Sequence, residues 1–139
     1  MLYKNVNIET IAYEKPPVGL TSDAIEDRLK PIYDKLKLPA GRLELMSGIK
    51  ERRFWLPGTT PSDGATLAGE KALQQAGISR DKIGCLINCS VCRDFLEPAT
   101  ATVVHHNLNL PQNAVVFDIS NACLGMLSGM ITLANMIEL

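Results

Sequence analysis

Aromatic rings and net charge are what this 139-residue chain has least of: Phe, Trp and Tyr make up 5% of it, and its formal net charge is −1. So few rings leave little to stack on bases, and no broad field of one sign draws nucleic acid or an anionic bilayer. Histidine is scarce too. The only two, His105 and His106, are adjacent, so a helix turns them to different faces, one part-buried and one at the surface. A zinc site would need ligands from elsewhere. No apolar run follows the basic residue of Met1-Leu2-Tyr3-Lys4-Asn5-Val6, which excludes a secretory leader. Without that address the four cysteines are expected as reduced thiols of a soluble cytoplasmic protein rather than as a disulfide framework. Internal repeats, low-complexity tracts and dividing linkers are also missing, so residues 1–139 read as one unit. Hydrophobic residues, at 46%, suffice for a packed core.

What is present alternates between two periods. Asn5 to Tyr13, with Val6, Ile8 and Ile11, reads as a strand ended by Pro16-Pro17. Ser22 to Leu36 reads as a helix capped by Thr21 or Ser22, with Pro31 forcing a kink or a second start. Leu43 to Ser47 is a short helical turn. Gly48 to Trp55 is a basic strand or extended loop, and Pro57 to Pro61 a loop. Ser62 to Ala76 is an amphipathic helix with Leu67, Ala68, Ala72, Leu73 and Ala76 on one face and Gly77 as its stop. Lys82 to Ser90 is a strand whose run Ile83 to Ile87 suits a buried parallel position. A helix beginning near Pro98 carries Ala101, Val104 and Leu108, and Ala114 to Asp118 is a further buried strand. Strands alternating with helices specify an α/β fold with a mostly parallel sheet covered by helices.

The most informative residue follows that last strand. Asn121 is placed to cap a helix, which puts Cys123 at its second position, among unpaired N–H groups at the positive end of the helix dipole. A thiol there is biased towards thiolate, the form that attacks thioesters. The other reading of a cysteine is a buried, inert hydrophobe. From Ala122 to Leu139 the polar side chains are Ser128, Thr132, Asn135 and Glu138, and all but the last form one narrow stripe. A helix apolar nearly all round is buried on both sides or lies in a membrane. This one is short for a span and lacks flanking basic or aromatic belts, so a central helix between two layers is expected. It reaches Leu139 without a stop signal, and nothing else in the chain is free to cover its second face. The chain is therefore expected to be truncated, with about half of its parent fold absent.

Three further constellations carry chemistry. Cys89-Ser90-Val91-Cys92 is a C-x-x-C directly after a strand, the setting of a thioredoxin-like redox site. Against that, no aromatic residue precedes it, and Cys85 on the same side of the strand as Cys89 reads as core filling. Lys50, Arg52 and Arg53 with Trp55 either clamp a nucleotide phosphate or form a solvated basic edge strand. In Arg93-Asp94-Phe95-Leu96-Glu97-Pro98-Ala99-Thr100, Glu97 sits beside apolar residues in a strand-to-helix loop, as a base with a raised pKa or as a solvated carboxylate.

Asp118-Ile119-Ser120-Asn121-Ala122-Cys123-Leu124-Gly125 resembles the nucleophile motif of the ketoacyl synthase III group of the thiolase-like superfamily. Ser47-Gly48-Ile49-Lys50-Glu51-Arg52-Arg53 is similar to that group's Gly-Ile-basic-Glu-Arg segment, and Cys92 to Thr100 to the loop of its bacterial olefin-biosynthesis condensing branch. The resemblance covers the whole chain as the N-terminal half of a layered αβαβα fold, with the last strands missing.

It implies an acyltransferase that performs Claisen condensation. Cys123 takes an acyl group from a coenzyme A thioester, its backbone N–H contributing to the oxyanion hole. Glu97, reaching across a homodimer, is the candidate base in head-to-head condensation of long-chain acyl-CoA. A ketoacyl-carrier-protein synthase III that starts fatty-acid synthesis is the alternative within the fold. The resemblance implies no cofactor beyond the thioester substrates. The synthases that start fatty-acid synthesis hold coenzyme A with a tryptophan and an arginine where this chain has Arg42 and Met46. The chain departs from that mode of holding coenzyme A, and Arg42, Lys50 and Arg52 are its candidate substrate-binding residues. The family's catalytic histidine and asparagine belong to the C-terminal half, and His105 and His106 match neither.

Overall fold

The computed structural model describes residues 2–139. They form two compact units: Lys15–Gly58, and the N-terminal segment as far as Glu14 together with Thr59–Leu139.

In the smaller unit, β1 (Val18–Thr21) leads directly into α1 (Ser22–Leu36), followed by α2 (Arg42–Ser47) and β2 (Glu51–Phe54). β1 and β2 pair antiparallel, Val18 opposite Phe54 and Thr21 opposite Glu51. Thr21 Oγ1 accepts the Ala24 N–H at 3.1 Å and caps α1. The helix runs through Pro31 without a second start. Pro31 and Asp27 both lie at the surface, where water can take the carbonyl that proline leaves without a donor. The unit is tied by polar groups. Buried Glu26 accepts the N–H groups of Gly41 at 2.6 Å and Leu43 at 2.5 Å, which fixes the start of α2. Buried Ser22 donates to the carbonyl of Ile49 and accepts from Arg52.

The larger unit is layered around two strands, β3 (Cys85–Cys89) and β4 (Val115–Ile119), paired parallel with Cys85 opposite Val115 and Cys89 opposite Ile119. α3 (Pro61–Ala76) precedes them, α4 (Thr100–Asn107) joins them, and α5 (Gly125–Glu138) follows. α3 begins with a capping box between Thr60 and Asp63 and ends at Gly77 in the left-handed region. Its core face uses Ala65 and Leu73, which pack with Ile83 and Leu86 on buried Val104, Leu108 and Leu110. Leu67 instead turns outwards. Gly69 lets α3 approach Leu108, since a Cβ there would stand 2.9 Å from Leu108 Cδ1. On the opposite face of β3, α5 lies so close that a methyl group at Gly129 would collide with Cys89 Sγ. The two-residue alternation of a strand thus gives Leu86 to the α3–α4 layer and Ile87 and Cys89 to α5.

The N-terminal segment departs from expectation, whereas the bare face of α5 meets it. Residues 5–13 are extended without strand pairing. An open groove of about 790 Å³ is lined by Ile8 and its neighbours on one side and by Ile83–Cys85 on another. Side-chain and end bonds hold the segment instead, from the amides of Lys4 and Asn5 to Glu138 and from Glu14 to Lys71. On α5 only one side is covered: Gly125, Gly129 and Ala134 are buried, while Met126 is 60%, Leu127 56% and Ile137 56% exposed. Among the described residues no helix is long and apolar enough to cross a membrane.

Candidate active site

The parallel strands end side by side, so the loops that follow them carry the chemistry-bearing residues at one edge of the sheet. After β4 the chain does not enter a helix at Asn121. Ala122–Leu124 forms a tight 3-10 turn, and α5 starts only at Gly125. Ala122, with φ +42°, turns the backbone through the left-handed region, where a side chain is strained. Asn121 makes no cap; its Nδ2 donates to Ser128 Oγ at 2.9 Å and braces the turn against the first coil of α5. Cys123 is therefore exposed on a turn before the helix, not held at its second position. The turn at Ala122 displaces the cap, because Asn121 is no longer aligned with the first amides of α5.

After β3 the chain passes Cys92 and the Arg93–Ala99 loop to reach α4. The helix begins two residues after Pro98, because the N–H groups of Thr100 and Ala101 are taken by the carboxylate of Asp118 at 2.9 Å each. Asp118 is thus a remote cap for α4, a role no local pattern announces. Asp94 does the same for α3, accepting the Ser62 N–H at 2.9 Å. Glu97 lies in the exposed part of this loop, beside Phe95 and Leu96 that are themselves 54% and 85% exposed. The apolar enclosure read from its neighbours is therefore not formed within this chain.

The other candidates separate by environment. Burial pushes the thiols of Cys85 and Cys89 above their ordinary value; at Cys89 the Gly129 amide opposes this and the charge of Asp118 adds to it. Both are half-buried thiols held towards the neutral form, the reverse of what a redox nucleophile at Cys89 requires. Cys92 is exposed beyond the strand. His105 Nε2 meets the Pro111 carbonyl at 2.9 Å and His106 is exposed. Among the described residues no three His, Cys, Asp or Glu side chains could together hold a metal ion. In the smaller unit Arg42 and Lys50 are exposed, whereas the half-buried Arg52 guanidinium donates to the hydroxyls of Ser22 and Ser47. Arg53 pairs with Glu51 and the Pro17 carbonyl.

No family model matches the chain. Across all 139 residues it is 45% identical to the acyl-CoA:acyl-CoA alkyltransferase of Shewanella oneidensis, covering 40% of that protein. It is also 45% identical over 138 residues to the protein of the same name from Xanthomonas campestris, covering 41% of it. A beta-ketoacyl-[acyl-carrier-protein] synthase III of Koribacter versatilis is 38% identical over 92 residues, 66% of this chain and 27% of that one. Crystal structures of Xanthomonas campestris OleA superpose with a TM-score of 0.94 at 44% identity, over 99% of this chain and 40% of theirs. Some carry a replaced glutamate, a replaced cysteine or bound cerulenin. The chain spans about 40% of the length of the curated relatives it matches. Identity along its whole length, a shared backbone and the cysteine turn after β4 together make this chain a member of the thiolase-like superfamily, in its ketoacyl synthase III group, corresponding to the N-terminal two-fifths of an OleA-type protein.

Proposed function

We propose that the protein carrying this chain condenses two acyl-CoA thioesters, with Cys123 as acyl acceptor and Glu97 as base. The observation that carries the reading is the strained, exposed turn that offers Cys123 at the end of a rigid parallel strand. Further support comes from the Xanthomonas structures. The glutamate and cysteine altered in them stand as far apart in sequence as Glu97 and Cys123 do.

In this mechanism the Cys123 sulfur attacks the thioester carbonyl and coenzyme A leaves as its thiol. Donors that include the Cys123 N–H hold the negative oxygen of the tetrahedral intermediate. A second acyl thioester then gives its α-proton to the Glu97 carboxylate. The carbanion attacks the carbonyl held on Cys123, the Cys123 thiolate departs, and a β-keto thioester is released. Glu97 acts from one protomer of a homodimer into the other's site, so its exposure within a single chain fits the role. Arg42 and Lys50, with free cationic ends, are the candidates to meet the phosphates of coenzyme A. Arg52 braces their segment and adds charge to it. The reaction needs no cofactor beyond its thioester substrates, and it runs in the cytoplasm. The catalytic histidine and asparagine that the resemblance implies have no counterpart in these residues.

The similarity to a ketoacyl synthase III over 92 residues favours a second reading, condensation of acetyl-CoA with a malonyl carrier protein. The two differ in product. Incubating the full-length protein with two long-chain acyl-CoAs, or with acetyl-CoA and malonyl carrier protein, separates them. Mass spectrometry after brief acyl-CoA or iodoacetamide treatment is expected to place the adduct on Cys123. An adduct mainly on Cys89 or Cys92 overturns the assignment.

A further inference from the structure

One carboxylate ties the two loops of the site together. Asp118 lies on β4, the strand that runs straight into the Cys123 turn. Its Oδ2 accepts the Thr100 N–H at 2.9 Å; its Oδ1 accepts the Ala101 N–H at 2.9 Å and the Asn88 side-chain amide at 3.3 Å. Charge-assisted bonds of this kind are short and directional. The chain of contacts continues through Thr100, whose side chain is fully buried. Thr100 Oγ1 accepts the Asp94 N–H at 3.1 Å, and Asp94 Oδ1 accepts the Ser62 N–H at the start of α3. The segment that bears Glu97 is therefore fixed at its upstream end by Asp94 and at its downstream end by Thr100. Both fixings trace back to β4, the strand that leads into the Cys123 turn.

We propose that Asp118 and Thr100 are positioning residues, which set the Glu97 loop for proton abstraction without touching substrate. The inference rests on the condensation reading above and deepens it. Within the chain, the loop's Phe95 and Leu96 are exposed, so its fixing at Asp94 and Thr100 is what aims the carboxylate towards the partner's site with the tolerance a proton transfer needs. The step it serves is the second one only. Acyl transfer to Cys123 uses no group on the loop, so the two half-reactions should respond differently when the relay is cut.

The test compares Thr100→Val, which keeps the shape and removes the acceptor for Asp94, with Thr100→Ser, which keeps the hydroxyl. In the full-length protein, coenzyme A released on acylation of Cys123 should be unchanged in both. Condensation, and exchange of the α-hydrogen of the second acyl-CoA with deuterated solvent, should fall about 10- to 100-fold in Thr100→Val, the scale expected when a reacting group is misplaced by about an ångström. KM for the second acyl-CoA should stay, and Thr100→Ser should restore the rate to within about threefold of the parent. Asp118→Asn sets an amide against an N–H donor and should reproduce the loss. If it does not fold, the two Thr100 variants decide alone. Thr100→Val in a Glu97→Gln background should add nothing, since the relay then positions no base. Equal losses in acylation and condensation, or no loss in either, overturn the inference. If the parent protein acylates no cysteine, or Glu97→Gln leaves condensation intact, the functional reading itself has failed.

Discussion

The two compact units are held together by different kinds of interaction. Lys15–Gly58 has only Ser22 and Glu26 buried, both polar, and its short elements are joined by bonds to those two side chains. The larger unit closes an apolar layer of Val104, Leu108 and Leu110 against α3 and β3, with Asp94 and Asp118 fixing helix ends and the loop between them. A unit of the first kind depends on protonation and geometry. One of the second depends on volume. The same distinction separates a segment that can adjust from a frame that must not move beneath a reacting group.

The largest expected effect therefore falls on the larger unit. Leu108→Ala removes a side chain that is 3% exposed and touches both α3 and the strand layer, and should cost about 2–5 kcal/mol in chemical denaturation. A loss below about 1 kcal/mol, the size of a surface change, would mean the apolar layer is not what holds this unit.

Next in size is the acid response of the smaller unit. The Leu43 amide, more than any other group, holds the Glu26 carboxyl below its ordinary value of 4.5; the Gly41 amide and Tyr33 hydroxyl add to this, and burial opposes it. A carboxyl that titrates lower when folded stabilises fully above its unfolded value and stops doing so as pH falls through the folded one. Protection of the Gly41 and Leu43 amides against exchange, taken relative to the intrinsic rate at each pH, should thus fall from about pH 4.5 downward. Glu26→Gln should exchange fast at neutral pH and lose most of that pH dependence. If the larger unit opens first as pH falls, the contrast between the units is wrong.

The smallest effect sharpens the account of the α5 face. Gly129→Ala gains about 1 kcal/mol of helix propensity but sets a methyl against Cys89 Sγ, an overpacking that costs roughly 1–3 kcal/mol. The net change should be destabilising in the parent and stabilising once Cys89→Ala has removed the sulfur. A Gly129→Ala change of the same sign in both backgrounds would show that α5 is not seated on Cys89. The exposed Met126, Leu127 and Ile137 lie outside this contact and should bind an apolar dye in the 139-residue chain in every variant.

Local chemistry made much of this legible. α1 was bounded at Ser22 and Leu36 because Thr21 caps it and the apolar period stops there. α3 and the parallel strands followed from Gly77 and from runs of β-branched residues. What escaped depends on partners distant in sequence. β1 is four residues long and exists through its pairing with Glu51–Phe54. Asn5 to Tyr13 has strand-like residues yet forms no strand, because a strand needs a ladder as well as a composition. The family motif singled out Cys123 but not its backbone. Alanine has no preference for positive φ, so nothing near Ala122 signals that the chain turns before the helix. In sequence Asp118 and Thr100 are an ordinary strand end and an early helix residue, and only hydrogen bonds between segments 18 residues apart join them.

That turn also constrains how the sequence can drift. Holding Ala122 at φ +42° costs on the order of 1–2 kcal/mol that glycine would not incur. Glycine would also free the backbone to wander through conformations that point the neighbouring sulfur elsewhere. Selection for a sturdier chain and selection for a faster reaction thus favour different residues here. On the condensation reading, position 122 is one where a residue chosen for backbone ease alone would loosen the aim of the Cys123 sulfur.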